Sequence, residues 1–172
     1  MIPSMPFRFL HPSPLGQLAV TLSDGCITAC HWCREEEELS ELTEEGDGAS
    51  AKYAMLANRV HQQLDEYFSH RRTGFSLPLI LTGTAFHKRV WDTLCHIPYG
   101  TMLSYGALAA RVGNPRAARA VAQACHRNPI AIIVPCHRIV GSDGSLTGYA
   151  AGVERKRWLL ELEGAFLPTL CR

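Results

Sequence analysis

The 172 residues carry 47% hydrophobic side chains, a net charge of +1 and seven cysteines. That apolar content suits one large or two small packed domains, and no apolar run approaches the ~18 residues that cross a bilayer. The start lacks the basic-then-apolar pattern of a signal peptide, and an odd number of scattered cysteines argues against a disulfide framework and for a reducing compartment.

The near-neutral total hides two opposed segments. Residues 34–47 set Arg34 against seven Glu and Asp47. Residues 84–138 set Lys88, Arg89, Arg111, Arg116, Arg119, Arg127 and Arg138 against Asp92. A basic segment with a single acid suits a polyanion at one face. The acidic run Glu35 to Glu38 reads as a solvated loop or helix start.

Residues 6–11, 17–22 and 26–33 read as strands, joined by turns at Pro14-Leu15-Gly16 and Asp24-Gly25. Residues 51–69 read as a helix, with Leu56, Val60, Leu64 and Phe68 at helical spacing. Residues 71–83, with Pro78 and two glycines, read as a linker, and a domain boundary is placed near Gly83. The expected domains are 1–83 and 84–172. Cys26, Cys30, His31 and Cys33 have no standard zinc spacing, and strand alternation points Cys30 away from His31 and Cys33. No metal and no cofactor is expected.

The second half is helix-rich. Phe86 to Cys95 reads as a helix stopped by Pro98 and Gly100. Ser104 can cap a helix running to about Val112, and Gly113 can end it in a left-handed conformation. Asn114 can cap the next helix with Pro115 at its first position, which gives a helix-turn-helix with Arg116, Arg119 and Arg127 on the second helix. Ile130 to Val134 reads as a buried strand that Pro135 ends, so that Cys136 and His137 sit adjacent in a stiff turn. Gly148 to Gly152 reads as a loop, and Glu154 to Glu163 as the last helix, with Trp158, Leu159 and Leu162 facing the core. The fold class is α+β: a small antiparallel sheet with a helix, then a helix-rich domain with a helix-turn-helix and short strands.

Cys-His adjacency is a weak signal alone, although an imidazole that takes the proton of a thiol makes a strong nucleophile. In order with Ser104-Tyr105-Gly106, Gly113-Asn114-Pro115-Arg116-Ala117-Ala118-Arg119, Asn128-Pro129, Pro135-Cys136-His137-Arg138, Gly148-Tyr149 and Leu160-Glu161-Leu162-Glu163-Gly164, the run is specific. From about Thr84 to Gly164 the chain resembles the O6-alkylguanine-DNA alkyltransferases, and more weakly in Pro14-Leu15-Gly16. The resemblance implies a ribonuclease-H-like N-terminal domain. It implies direct-reversal repair of double-stranded DNA: one irreversible transfer of an alkyl group from O6 of guanine, or O4 of thymine, to a cysteine after base flipping.

The same resemblance implies the roles. Cys136 is the alkyl acceptor, His137 the imidazole that acts on it through a water, and Glu163 the acid that orients the imidazole. Glu161 lies about 200° away around the helix, so only one of the two can face the site. Asn128 is the hinge between recognition helix and active-site turn. Arg119 fills the gap left by the flipped base. Tyr105 crowds the target phosphate and donates to the leaving guanine, with Ala118 and Arg116 beside the DNA. Tyr149, Ile139, Ala150 and Ala151 line the substrate pocket, with Tyr149 as one wall around the alkyl group and the backbone around Cys136 and Ile139 on the guanine edge. Ala150-Ala151-Gly152 departs from the family's stretch of small Gly or Ser residues, and the extra methyl of Ala151 bears on which groups the pocket admits. Cys125 is expected to be a packing residue, and Arg138 is structural or phosphate-facing. The chain is expected to act as a cytoplasmic monomer (nuclear in a eukaryote) that binds no membrane. The rival readings are a non-catalytic binder of alkylated DNA, and a Cys-His-Glu hydrolase or acyltransferase.

Overall fold

The computed structural model describes residues 6–33 and 47–166. The acidic run Glu35 to Glu38 lies outside them. The chain divides into two compact units, Met1–Leu81 and Thr82–Arg172.

The first unit is a three-stranded antiparallel sheet, β1 (Phe7–Ser13), β2 (Gly16–Ser23) and β3 (Cys26–Trp32), in the order β1-β2-β3, with one helix, α1 (Asp47–Phe68). Asp24 and Gly25 both take positive φ, at 50° and 76°, which matches the right-handed twist of the strands they join. Alternation sends Leu18, Val20 and Leu22 into the core. In β3, Thr21 faces Ala29 while Leu22 faces Ile27, so Thr28 is one residue too many for its partner. This bulge lets Ile27 and Cys30, which are three apart, both point inward.

Helix α1 starts at Asp47, earlier than residue 51. It packs Tyr53, Leu56, Val60, Leu64 and Tyr67 on its buried face. Tyr67 takes the place expected for Phe68, which is only partly buried. The expected linker is not all free chain: Ile27 donates to Pro78 O at 2.9 Å and Ile80 donates to Ile27 O at 3.0 Å.

The second unit holds α2 (Ala85–Cys95), α3 (Tyr105–Arg111), α4 (Ala118–His126) and α5 (Val153–Leu162). Two short strands, β4 (Leu103–Ser104) and β5 (Ile139–Val140), pair in parallel. Thr84 Oγ1 caps α2 by accepting from His87 N, and Ser104 Oγ caps α3 by accepting from Ala107 N, both at 3.1 Å. Gly113 takes φ 85° after α3, as its position predicts.

Three expectations fail here. The second helix of the pair does not begin at Pro115. Ala117 N donates to Asn114 O at 3.0 Å, closing a separate turn, and α4 starts at Ala118 with no side-chain cap. Arg116 therefore lies in the turn and Arg127 just past the helix end, which leaves Arg119 as the arginine within α4. Ile130 to Val134 is not a strand but a buried run of turns, with Ile132 at φ 69°. A β-branched residue is rare at positive φ, so the backbone entering the Cys136 turn is strained. In α5 the buried residues are Lys156, Leu159 and Leu160, while Trp158 and Leu162 are only partly covered.

Trp91, on α2 and 2% exposed, ties this unit together. Its Nε1 donates at 2.8 Å to Ala124 O, a carbonyl in the last turn of α4 that has no helical partner. Substituting Trp91→Phe leaves that buried acceptor unpaired, at a cost of about 1–3 kcal/mol. Differential scanning calorimetry should show a fall in Tm of about 5–15 °C for a unit of this size.

Candidate functional site

Cys136, His137 and Arg138 form one turn of 3-10 helix between Pro135 and β5, and all three are buried. Asn128, two residues past α4, reaches into this turn. Its Nδ2 donates to Val134 O at 2.8 Å and to Cys136 Sγ at 3.1 Å. Its Oδ1 accepts from Ile130 N at 3.0 Å. One amide thus binds the end of α4 to the backbone on both sides of the strained segment and to the thiol itself.

The imidazole of His137 is fully buried, and its Nε2 lies 2.8 Å from Glu163 Oε1. Glu163 caps α5 at its C-terminal end and is 5% exposed, whereas Glu161 is only partly buried. With Nε2 donating to the carboxylate, Nδ1 is the free acceptor. No described protein group bonds it. Arg138 grips the same carboxylate, Nε to Oε2 at 2.9 Å and Nη2 to Oε1 at 3.0 Å, while Nη1 donates to Ile97 O. Gly100 N adds a fourth donor at 3.2 Å.

These contacts set the charges. Burial pushes the Glu163 carboxyl up, but His137 and Arg138 outweigh it, and the group stays ionised far below the usual carboxylate range. Burial drives His137 below its ordinary value despite the pull of Glu163, so the imidazole is neutral near pH 7. Burial also raises Cys136 above an ordinary thiol, partly offset by the Asn128 hydrogen bond and the charge of Lys156. The resting sulfur is a thiol beside a neutral base.

Tyr105 opens α3. Its hydroxyl donates to Thr147 O at 3.1 Å, and burial first, then Cys125 and Cys136, raise it to about 12. Lys156 Nζ donates to the same carbonyl at 2.8 Å and lies 5.7 Å from the Tyr105 ring centre. A cleft of about 410 Å³ opens beside Tyr105, lined by Ala122, Gln123, His126, Arg127, Thr147 and Gly148. Tyr149 and Ile139 are buried, Ala150 is exposed, and Ala151 lies between. Arg119 is exposed in the first turn of α4, next to the partly buried Ala118. Cys125 is buried in the same helix, and burial holds its thiol high. In the first unit Cys30 faces the interior and His31 the outside. Among the described residues no three His, Cys, Asp or Glu side chains converge as metal ligands.

The structure thus brings Cys136, His137, Glu163, Asn128 and Tyr105 into one region and leaves Arg116 and Arg119 on an exposed edge. The sequence did not reveal that two cations are buried. Arg138 reads there as structural or phosphate-facing, and Lys156 carries no reading. The signal for Lys156 was the stripe 156, 159, 160, 163, whose spacing puts Lys156 and Glu163 on the same buried face as Leu159 and Leu160.

Comparison with known proteins places both units. The 6-O-methylguanine DNA methyltransferase ribonuclease-like domain matches residues 8–81, and the DNA binding domain of the same family matches residues 85–165. A methylated-DNA–protein-cysteine methyltransferase of Methanosarcina barkeri is 55% identical over 102 residues, 59% of this chain and 65% of its own length, so the match spans just under two thirds of that relative. The enzyme of that name from Mycobacterium tuberculosis is 43% identical over 156 residues, 91% of each chain. The crystal structure of the Mycobacterium tuberculosis O6-methylguanine methyltransferase superposes with a TM-score of 0.77 at 40% identity, covering 96% of both chains. A second structure, of the Mycobacterium tuberculosis protein in complex with DNA, gives 0.75 at 40% identity and covers 91% of this chain and 92% of that one. No helix among the described residues is long and apolar enough to cross a membrane. Matched in both halves and along nearly the whole length of its mycobacterial relatives, the chain belongs to the O6-methylguanine DNA methyltransferase family.

Proposed function

We propose that this chain repairs alkylated DNA by direct reversal, moving one alkyl group from O6 of guanine, or O4 of thymine, to Cys136 and then retiring. The observation that carries the reading is the buried thiol held by Asn128 beside the His137–Glu163 pair, in a unit that also carries the α3–α4 helix pair. The mycobacterial relative bound to DNA supports duplex DNA as the partner. Cysteines held free across the described residues support a reducing, cytoplasmic setting. The N-terminal unit, residues 1–83 with its linker, carries none of the chemistry in this reading.

The reaction balances without a cofactor. His137 Nδ1 takes the Cys136 proton through a water, and the thiolate attacks the alkyl carbon. The S–C bond forms as the C–O6 bond breaks, and the bonding pair stays on O6. The guanine ring gains a proton, with Tyr105 as the donor at the ring, and the proton released by Cys136 restores the balance. Glu163 holds the imidazole in the tautomer that leaves Nδ1 as acceptor. Before any of this the base must leave the stack, at a cost of a few kcal/mol. Arg119, exposed at the start of α4, would fill the gap, and Arg116 and Ala118 would lie against the backbone. Minor-groove entry would suit a lesion protein, since that groove carries little sequence information. Tyr149, Ile139, Ala150 and Ala151 would enclose the alkyl group. A binder without chemistry would not need Cys136, and a hydrolase would not need the α3–α4 pair.

Cys136→Ala should abolish transfer and keep duplex affinity, because phosphate contacts supply most of the binding. Intact-protein mass spectrometry after incubation with O6-methylguanine DNA reads this directly, and methyl gained at another cysteine would overturn the assignment. Arg119→Ala should slow duplex repair at least tenfold more than reaction with free O6-benzylguanine, which needs no flipping. An equal loss on both substrates would make Arg119 structural. Methylated protein should melt lower, because a methyl on Sγ crowds the Asn128 amide 3.1 Å away. Overpacking of this kind costs about 1–3 kcal/mol. A Tm unchanged by full methylation would reject that coupling, and more than one methyl per molecule would reject single turnover.

A further inference from the structure

Arg138 is a buried cation that no step of the proposed reaction uses. It is 6% exposed, and each of its three side-chain nitrogens donates a hydrogen bond inside the protein. Two of its nitrogens fork onto Glu163, a third reaches Ile97 O, and its guanidinium carbon lies 5.9 Å from the Tyr99 ring centre. Glu163 Oε1 is shared between Arg138 Nη2 and His137 Nε2.

We propose that Arg138 is a positioning residue for the thiol's base: its fork fixes the Glu163 carboxylate against His137 Nε2 and offsets its charge, so that the carboxylate orients the imidazole without stabilising the imidazolium. This rests on the alkyl-transfer reading above. A lone buried carboxylate beside an imidazole stabilises the imidazolium. An imidazolium cannot accept the proton of Cys136. With a permanent cation already on Glu163, a second positive charge on His137 gains little and meets Arg138 at close range. The carboxylate then keeps its geometric role and loses most of its electrostatic one.

The remaining charges around the pair act in the same sense or weakly. On His137, Lys156 from α5 also opposes a positive charge. Cys136 precedes it in the turn and is neutral at rest. Tyr99, in the segment after α2, faces both Glu163 and Arg138. Cys95, at the end of α2, faces Arg138 and Asp92. Both have burial-raised values and are neutral near pH 7. Arg138 is therefore the close counter-ion of Glu163.

The test compares Arg138→Gln, which removes the charge, with Arg138→Lys, which keeps the charge and loses the fork. Two readouts are followed from pH 5 to 9: the single-turnover rate on duplex O6-methylguanine DNA, and the titration of His137 by nitrogen NMR of the full chain. In Arg138→Gln the imidazole should titrate at least about one pH unit higher, which is a tenfold change in its protonation ratio. The acid limb of the rate should move with it, so the deficit is large at pH 6 and shrinks toward pH 9. In Arg138→Lys the limb should stay in place while the plateau falls several-fold.

A loss independent of pH in both variants, with His137 titrating as in the parent, would overturn the proposal and leave Arg138 purely structural. If Arg138→Gln does not fold, Arg138→Met takes its place as the charge-removing variant. A His137 titration and an acid limb that move up in Arg138→Met but stay in place in Arg138→Lys uphold the proposal, and a titration unmoved in both overturns it. A parent protein that moves no methyl at any pH would instead reject the alkyl-transfer reading, and the NMR titration would still judge Arg138.

Discussion

The second unit is organised around one buried negative charge. An ionised carboxylate in a protein interior is tolerated only when it is paired and hydrogen-bonded, because its desolvation costs several kcal/mol. Glu163 meets that demand with four donors from three residues: His137 and Arg138 on the 3-10 turn, and Gly100 N in the segment after α2. It sits itself at the end of α5. The end of the last helix, the turn that carries the thiol and the segment after α2 are thus fixed by the same four bonds. None of the three can drift without exposing an uncompensated charge, so the imidazole next to Cys136 is held to a fixed orientation.

A second junction couples that fixed turn to α4. Asn128 follows α4 closely and bonds Val134 O, Ile130 N and Cys136 Sγ at once. Trp91 holds the same helix end through Ala124 O. The strained Ile132 lies between the residues that Asn128 clamps, and such strain persists only where the surroundings over-determine it. A change at the sulfur is consequently felt by Asn128 before any other polar side chain, and α4 ends two residues away. In the proposed reaction this is the shortest route from chemistry to the DNA interface.

Much of this was legible in the sequence, and the failures have physical causes. The hairpin turns, the caps at Ser104 and Gly113 and the buried face of α1 follow from local chemistry that tertiary contacts do not override. The choice of Glu163 over Glu161 came from a motif, and burial separates the two. The start of α4 was misread because Asn-Pro is an equally good turn, and Ala117 N closes that turn onto Asn114 O. Ile130 to Val134 was misread because an apolar run of five cannot distinguish a strand from buried turns. The burial of Arg138 and Lys156 was missed for a common reason. Charged residues are almost never fully buried unless paired, and the partners, Glu163 and Thr147 O, lie 25 and nine residues away in sequence.

The state of the sulfur follows from these placements. In the proposed single-turnover reaction, a thiolate that reacted with any electrophile reaching it would be lost to repair. Cys30, Cys125 and Cys136 are all buried, and burial holds each above an ordinary thiol, which keeps them inert toward solvent. Cys136 differs in geometry and not in resting charge: it has the Asn128 amide on its sulfur and precedes an imidazole whose Nδ1 is free to accept a proton. Selectivity then lies in coincidence. The thiol gives up its proton only when the base is neutral and an alkyl carbon is already in line. In the proposed reaction the second condition requires an extruded nucleotide, and Tyr105, whose hydroxyl donates to Thr147 O, stands in the same region. Burial slows the thiol in the absence of substrate, and the same burial strengthens each hydrogen bond to the developing charge once water is excluded.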